Sequence, residues 1–532
     1  MLLVSKKYLP LAIVLVVSIY SVFPVIKNIN TSLVLGHEDL LLTWIMNQNI
    51  QKIPNDLINL FDGSIFYPYK NTIAYSDVFL PSSLLTYIPV KVTGNPLIAL
   101  NLSLIIGQIA TTLILYVWLK ELTNDKQASV LGSTVFGLSQ IRMHYFVHIH
   151  TFILQWFIAS CFFIWKFRKE ARVRYLYAAS IIAVIQFWES PLPVFWILAV
   201  GSVLLSSKFN QLKRLWKHLV VIATFTLIAT YPLLNAYYSV SREFNYVRSV
   251  REAAHFSMST NDLWGIFFSP GLYLLFIFSI IFIMVKRNMN TSKEILSELN
   301  WIISLALVGF IMALGPVLKW QGSTLKLLGK LFIPLPYGVF YYIIPGFKAL
   351  RTPSRWIVLF ALALSFLIAI VFSKYKSKYK NYILIMALIV AILGGKRIQA
   401  LVEMPTKAEY PKVYEWLNKQ PGNAILELPI YTWGDAKKET REMLRMLYSL
   451  EHKKSLVNGH SGFNPPSWLE LVSDINKNFP NAKLEKRLQY LGVDYIIVHD
   501  NEYDQSKLQK VEEWGRKNLV YKDIDVSVYI LK

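Results

Sequence analysis

Two kinds of residue in this chain are placed to do chemistry: acids that stand beside apolar runs, and arginines and histidines gathered in short segments. Asp39, with Glu38 before it, opens "HEDLLLTWIMNQNIQKI" just beyond the first apolar run. A carboxylate held at a membrane surface could deprotonate a hydroxyl or hold a divalent cation, magnesium or manganese. The same two acids could equally do no more than favour a helix N-terminus through its dipole. Asp77, in "NTIAYSDVFLPSS", could cap the segment that follows it, or share a metal with Asp39. In "RMHYFVHIH" the spacing predicts His144 and His148 on one helix face, compatible with metal, and His150 ends the cluster. No Glu follows the first His as a metalloprotease motif requires, so headgroup or backbone bonding stays open for these rings. Arg142 beside them could meet a phosphate. Two further segments, "SREFNYVRSVREAAHF" with Arg248 and "GFKALRTPSRW" with Arg351 and Arg355, bring guanidinium groups that bind phosphate bidentately and keep their charge. Contact with lipid headgroups or with the rest of the chain is the alternative for them.

These residues must be positioned by a membrane protein. The chain has 532 residues, is 54% hydrophobic and only 17% charged, against roughly 25% charge for a soluble domain. Its mean hydropathy is +0.39. Its 15 Trp, 30 Tyr and 31 Phe suit many lipid–water boundaries. The apolar content excludes disorder, and the single cysteine, Cys161, excludes an intrachain disulfide framework or a cysteine zinc site. Of 55 basic and 33 acidic residues, 19 of each fall in 400–532, which leaves 36 against 14 in 1–399. The excess therefore lies in the most apolar part of the chain, where topology explains it better than nucleic acid does.

Runs near the 20 residues that a spanning helix needs predict eleven crossings, at about 8–26, 97–119, 128–143, 150–166, 175–188, 190–207, 218–236, 266–285, 300–318, 356–373 and 381–395. The connectors "KFRKEARVR", "KFNQLKRLWK" and "KYKSKYK" then lie inside, the N-terminus is cytoplasmic, and 400–532 is outside. No small-residue cleavage site follows the first run, so it reads as an uncleaved anchor. Residues 27–96 form a long first outer loop. Its "HEDLLLTWIMNQNIQKI" is expected to be an amphipathic helix in the interface, and 78–92, broken by Pro81 and Pro89, a re-entrant or interfacial piece. Only nine acids of the membrane portion fall outside or near the outer face: Glu38, Asp39, Asp56, Asp62, Asp77, Glu189, Glu243, Glu252 and Asp262. In the tail, "NAILELPIY", "VDYIIVHD" and "DVSVYILK" read as strands, and "PKVYEWLNKQ" and "SKLQKVEEWGRKN" as helices. The expected fold class is thus an α-helical polytopic membrane domain, 1–399, followed by a soluble α/β domain, 400–532.

The succession of "GHEDLLLTWIMNQ", "LFDGSIFYPYKNTIAYSDVFLPSS", "RMHYFVHIHTFILQW", "PGFKALRTPSRW" and "LVNGHSGFNPPS" resembles bacterial multi-span membrane proteins of the GT-C glycosyltransferase superfamily. The resemblance implies a plasma-membrane enzyme that moves a hexosyl or pentosyl unit from a polyprenyl-phosphate carrier to an acceptor outside the cell, such as an envelope polysaccharide, teichoic acid or glycolipid. It implies that an acid of the first outer loop acts as base or metal ligand, which maps to Asp39, with Glu38 beside it and Asp77 as a second acidic place. It implies basic groups at the donor phosphate, for which Arg351, Arg355 and Arg248 are the candidates. The first loop lacks a plain Asp-x-Asp pair, which leaves a divalent cation open. Two other classes remain: a flippase of lipid-linked saccharides, marked by uptake without product, and a non-catalytic scaffold of polysaccharide assembly, marked by a co-purifying enzyme.

Overall fold

The computed structural model describes residues 8–34, 37–53, 55–146, 148–245, 247–265, 270–286, 293–375 and 378–531. The chain divides into two compact units. One holds Met1–Lys27, Ser103–Tyr231 and Val247–Gln399; the other holds Asn28–Leu102, Pro232–Tyr246 and Ala400–Lys532.

Among the described residues seven helices are long and apolar enough to cross a bilayer: Leu9–Lys27, Leu97–Thr123, Ile149–Glu170, Leu192–Arg214, Trp216–Glu243, Leu296–Ala313 and Pro353–Lys374. Helices suit that setting because each backbone group is bonded within its own segment. Four other runs expected to span are helices of 12, 16, 17 and 14 residues, namely Lys126–Gly137, Arg174–Glu189, Pro270–Lys286 and Lys380–Leu393.

The first unit is built around Ile357–Lys374. This helix is apolar all round and buried from Ile357 to Phe372, apart from Phe360, as a central membrane helix must be. Small residues let its neighbours come close. A side chain at Gly309 would stand 2.7 Å from Phe360 N, and one at Gly132 2.9 Å from Ser365 O. The helix begins where "LRTPSRW" ends, so the arginine segment is tied to the most firmly packed element of the unit. Polar pairs fix the periphery: Ser18 Oγ lies 2.5 Å from Thr112 Oγ1, and Gln108 Nε2 donates to Ser21 Oγ at 2.7 Å.

The run 128–143 is not one helix. Helix Lys126–Gly137 stops, and Ser139 caps a new short helix, Gln140–His144, by accepting from Arg142 N at 3.1 Å. Backbone bonding passes on to helix Ile149–Phe152, so His144 and His148 do not share a helix face.

In the second unit the helix His37–Lys52 differs from the interfacial, amphipathic one expected. It is buried from Asp39 to Ile50 except for Leu41 and Leu42, which are half-buried. Its polar side chains bond protein rather than water. Asn47 donates to Thr43 O and Pro96 O at 2.8 and 2.9 Å, Asn49 to Val78 O and Ser83 Oγ at 2.7 and 3.0 Å, and Gln48 to Ser64 Oγ at 3.0 Å. Tail helix Ala436–His452 packs along it, and Trp44 Nε1 meets Ser449 Oγ at 3.4 Å. Helix Leu80–Thr93 shows the reverse of a water-facing pattern. Ser82, Ser83 and Thr86 are buried while Leu84, Ile88 and Val92 are exposed, a face suited to lipid. Its N-cap is Phe79, in a left-handed backbone conformation.

The tail carries a mixed sheet of β1 (Ala424–Leu428), β2 (Ser455–Leu456), β3 (Tyr495–His499), β4 (Leu519–Lys522) and β5 (Val526–Ile530), in the order β4-β5-β3-β1-β2. β1 lies parallel to both β2 and β3, and β5 runs antiparallel to β3. First-loop and tail motifs meet on this scaffold. Phe66 N donates to Asn458 O at 2.9 Å, Tyr67 N to Leu456 O at 2.8 Å, and the Phe66 ring stands edge-on to Trp468 at 4.8 Å. Only a glycine fits at 459, where a Cβ would lie 2.8 Å from the Phe66 ring, and at 462, where it would lie 2.8 Å from Tyr75 O.

Candidate functional site

Three segments of the first unit bring their cations together. The "GFKALRTPSRW" segment is held at both ends. Gly346 turns it at φ 79°, the buried Phe347 ring packs on Tyr337 at 5.0 Å and on Trp356 at 6.1 Å, and the Tyr337 hydroxyl donates to Leu350 O at 2.7 Å. Arg351 follows that anchor, and Arg355 precedes the central helix. In the second segment Ser249 caps helix Val250–His255 and so places Glu252 in its first turn. The Tyr341 hydroxyl donates to the carbonyl of Arg248. Glu252 Oε1 then lies 2.7 Å from Arg248 Nη1 and 3.8 Å from Arg351 Nη1. Arg351 also stands over the Phe256 ring at 5.4 Å.

The third segment supplies histidines. Arg355 Nη1 bonds His150 Nε2 at 2.7 Å. A guanidinium only donates, so that nitrogen accepts and His150 carries its proton on Nδ1. The His148 and His150 rings are stacked at 5.9 Å and 27°. Burial, then the Arg355 and Arg351 charges, push His148 down to about 2, and burial with the Lys396 charge lowers His144. Three guanidinium groups thus gather beside one carboxylate and neutral imidazoles, which makes a cationic cluster rich in hydrogen-bonding groups.

Arg142 does not belong to this group. It is fully buried, its guanidinium donates to Gln108 Oε1 and to Phe152 O (2.6 Å), and it lies 4.4 Å from the centre of the Phe152 ring. It ties the broken helix 126–144 to its neighbours and is not directed at a phosphate. The signal for this was faint in the sequence, because its partners lie 34 residues before it and 10 after. Glu252, Tyr337 and Tyr341 are the positioning residues that motif reading missed or left among many acids.

In the second unit Asp39 is 2% exposed, in the first turn of His37–Lys52, and Glu38 beside it is half-buried. Asp77 is half-buried next to Ser76, whose carbonyl accepts from the Tyr237 hydroxyl at 3.3 Å. Among the described residues no group of three or more His, Cys, Asp or Glu is placed to hold a metal ion. A cleft of about 870 Å³ in this unit contains neither Asp39 nor Asp77. It is lined by Gln48, Lys52, Asp62, Tyr67, Lys70 and Lys91, among others.

No protein-family model matches the chain, and no curated protein sequence does. Solved structures do. The arabinofuranosyltransferase AftD from Mycobacteria aligns over 99% of this chain and 40% of its own, at 11% identity and a TM-score of 0.55, and its R1389S mutant gives 0.56 at 12% identity. The oligosaccharyltransferase AglB from Archaeoglobus fulgidus, solved with a peptide and a dolichol-phosphate, covers 93% of this chain and 70% of its own at 13% identity, with a TM-score of only 0.46. The match to AftD shows a shared fold. The chain spans about 40% of the length of the AftD chain it matches.

Proposed function

We propose that this chain, which shares its fold with AftD and whose motifs resemble GT-C glycosyltransferases, transfers a hexosyl or pentosyl unit from a polyprenyl-phosphate-linked donor to an acceptor outside the cell, such as an envelope polysaccharide, teichoic acid or glycolipid. The observation that supports it most is the gathering of Arg248, Arg351 and Arg355 with neutral histidines from three separate segments. Arg351 and Arg355 take the donor phosphate and Arg248 stands behind them, while His148 and His150 add hydrogen-bonding capacity without a titrating charge. In the reaction the anomeric carbon–oxygen bond to the phosphate breaks and a bond to the acceptor oxygen forms. The departing phosphate gains negative charge, which fixed cations stabilise by an amount of order 10²–10³ in rate. Asp39 takes the acceptor proton, a step worth about 10²–10⁴, with Glu38 and Asp77 as neighbouring carboxylates. The reading includes a plasma-membrane location with the N-terminus cytoplasmic and 400–532 outside.

The test is transfer by the purified full chain in nanodiscs, with radiolabelled polyprenyl-phosphate sugars and envelope glycan fractions as acceptors. The proposal expects product with the native chain and none above background with Asp39→Asn. Native-rate transfer by a folded Asp39→Asn variant would remove Asp39 from the mechanism. Movement of the labelled lipid across the bilayer with no glycosyl product would replace the enzyme with a flippase.

A further inference from the structure

The tail sheet contains a feature that the transfer reaction does not use. From β1 the chain passes through helix Ala436–His452 to β2 on one side, then returns through two helices to β3 on the other side of β1. Parallel neighbours whose connections leave in opposite directions open a crevice at their carboxyl ends, and in open α/β sheets that is where ligands bind. A cleft of about 510 Å³ lies there, lined by the loop after β1, residues 429–435, and the loop after β3, residues 502–504. Its volume is within the range of small-ligand sites.

The crevice is built rather than incidental. Asn476 clamps Ile430 through both backbone groups, accepting at 3.3 Å and donating at 2.8 Å. Buried Arg445 donates to Pro429 O at 2.7 Å and to Glu502 Oε2 at 2.8 Å, and the Tyr431 hydroxyl donates to the same carboxylate at 2.8 Å. Both walls are therefore fixed before any ligand arrives, which lowers the ordering cost of binding. On this rigid frame Trp433 is 50% exposed, a large aromatic face left uncovered beside carboxylate, amide and lysine side chains.

The two helix N-termini at the crevice are closed to a phosphate. The helix that follows β1 has its first amides taken by Asp435, which accepts from Lys437 N at 3.0 Å and Lys438 N at 3.3 Å. Asp504 accepts from Lys507 N at 3.0 Å at the helix after β3. Each amide set that could cradle a phosphate is thus occupied by a carboxylate that repels one. What remains is an aromatic platform edged by hydrogen-bonding groups of both signs, which suits a neutral polyhydroxyl molecule with an apolar face.

We propose that this switch-point crevice is a saccharide-binding site centred on Trp433. It requires no donor, so binding and transfer fail independently. The test uses the full chain in nanodiscs, titrated without donor against maltopentaose, chitopentaose, mannopentaose and arabinopentaose, followed by saturation-transfer difference NMR. At least one should bind, about tenfold or more weakly with Trp433→Ala, and unchanged with Tyr490→Ala, whose side chain is 93% exposed outside the crevice. Absence of binding by all four, equal affinity in Trp433→Ala, or binding of ADP displaced by none of them would each overturn the proposal.

Discussion

Arg351→Gln separates a phosphate-binding arginine from a surface ion pair. Arg351 is 41% exposed, and the Glu252 carboxylate lies 3.8 Å away; such a pair contributes at most about 1 kcal/mol to folding. Facing the donor phosphate as it departs, the same guanidinium would make a charge-assisted bond of about 1.5–3 kcal/mol. The exposure favours the lower figure, and about 1.5 kcal/mol is roughly a tenfold change. Initial rates with a radiolabelled lipid-phosphate donor should show kcat/KM reduced about tenfold or more, with Tm within roughly 2 °C of the native value. Arg351→Lys should recover part of the loss, because it keeps the charge and loses the fork. Unchanged kcat/KM in folded Arg351→Gln would refute the phosphate role.

Other perturbations probe the remaining parts. Glu252→Gln removes the carboxylate that positions Arg248 and Arg351, so the donor KM should rise; a fall would show that Glu252 only offsets their charge. Trp44→Ala, in the buried first-loop helix, should cost about 3–5 kcal/mol, read as lost thermal stability of the purified protein, and a loss under 1 kcal/mol would contradict that burial. His452, in the tail, is held down at about 4, mainly by burial. The unfolded chain therefore binds a proton that the folded chain does not between about pH 6.5 and 4. Stability is full above 6.5 and falls as pH drops through that window, by about 3 kcal/mol in all. The difference in stability between native chain and His452→Phe should shrink correspondingly on acidification, and a constant difference would contradict the shift.

Local pattern carried most of the fold. The apolar runs, the tail strands at 424–428, 495–499 and 526–530, and the arginine segment before the central helix all follow from residues close in sequence. What was illegible depended on distant partners. Nothing near residue 139 announces a helix break, because the Arg142 bonds that support it reach Gln108 and Phe152. The asparagines of His37–Lys52 look like a wet face until Pro96, Val78 and Ser83 supply their partners. The left-handed entry of the backbone at Phe79 into the helix that follows Asp77 has no signal in the local sequence either. Among the site residues the arginines and histidines were visible as separate clusters, while their meeting through Glu252 and His150 was not.

The central claim is that this cationic cluster holds the phosphate of a lipid-linked sugar. Cryo-electron microscopy of the full chain in nanodiscs with a non-hydrolysable polyprenyl-phosphonate sugar tests it most directly. The account predicts phosphonate density within hydrogen-bonding distance of the Arg351 or Arg355 guanidinium. A well-ordered phosphonate bound elsewhere, with both guanidinium groups out of reach, would contradict it.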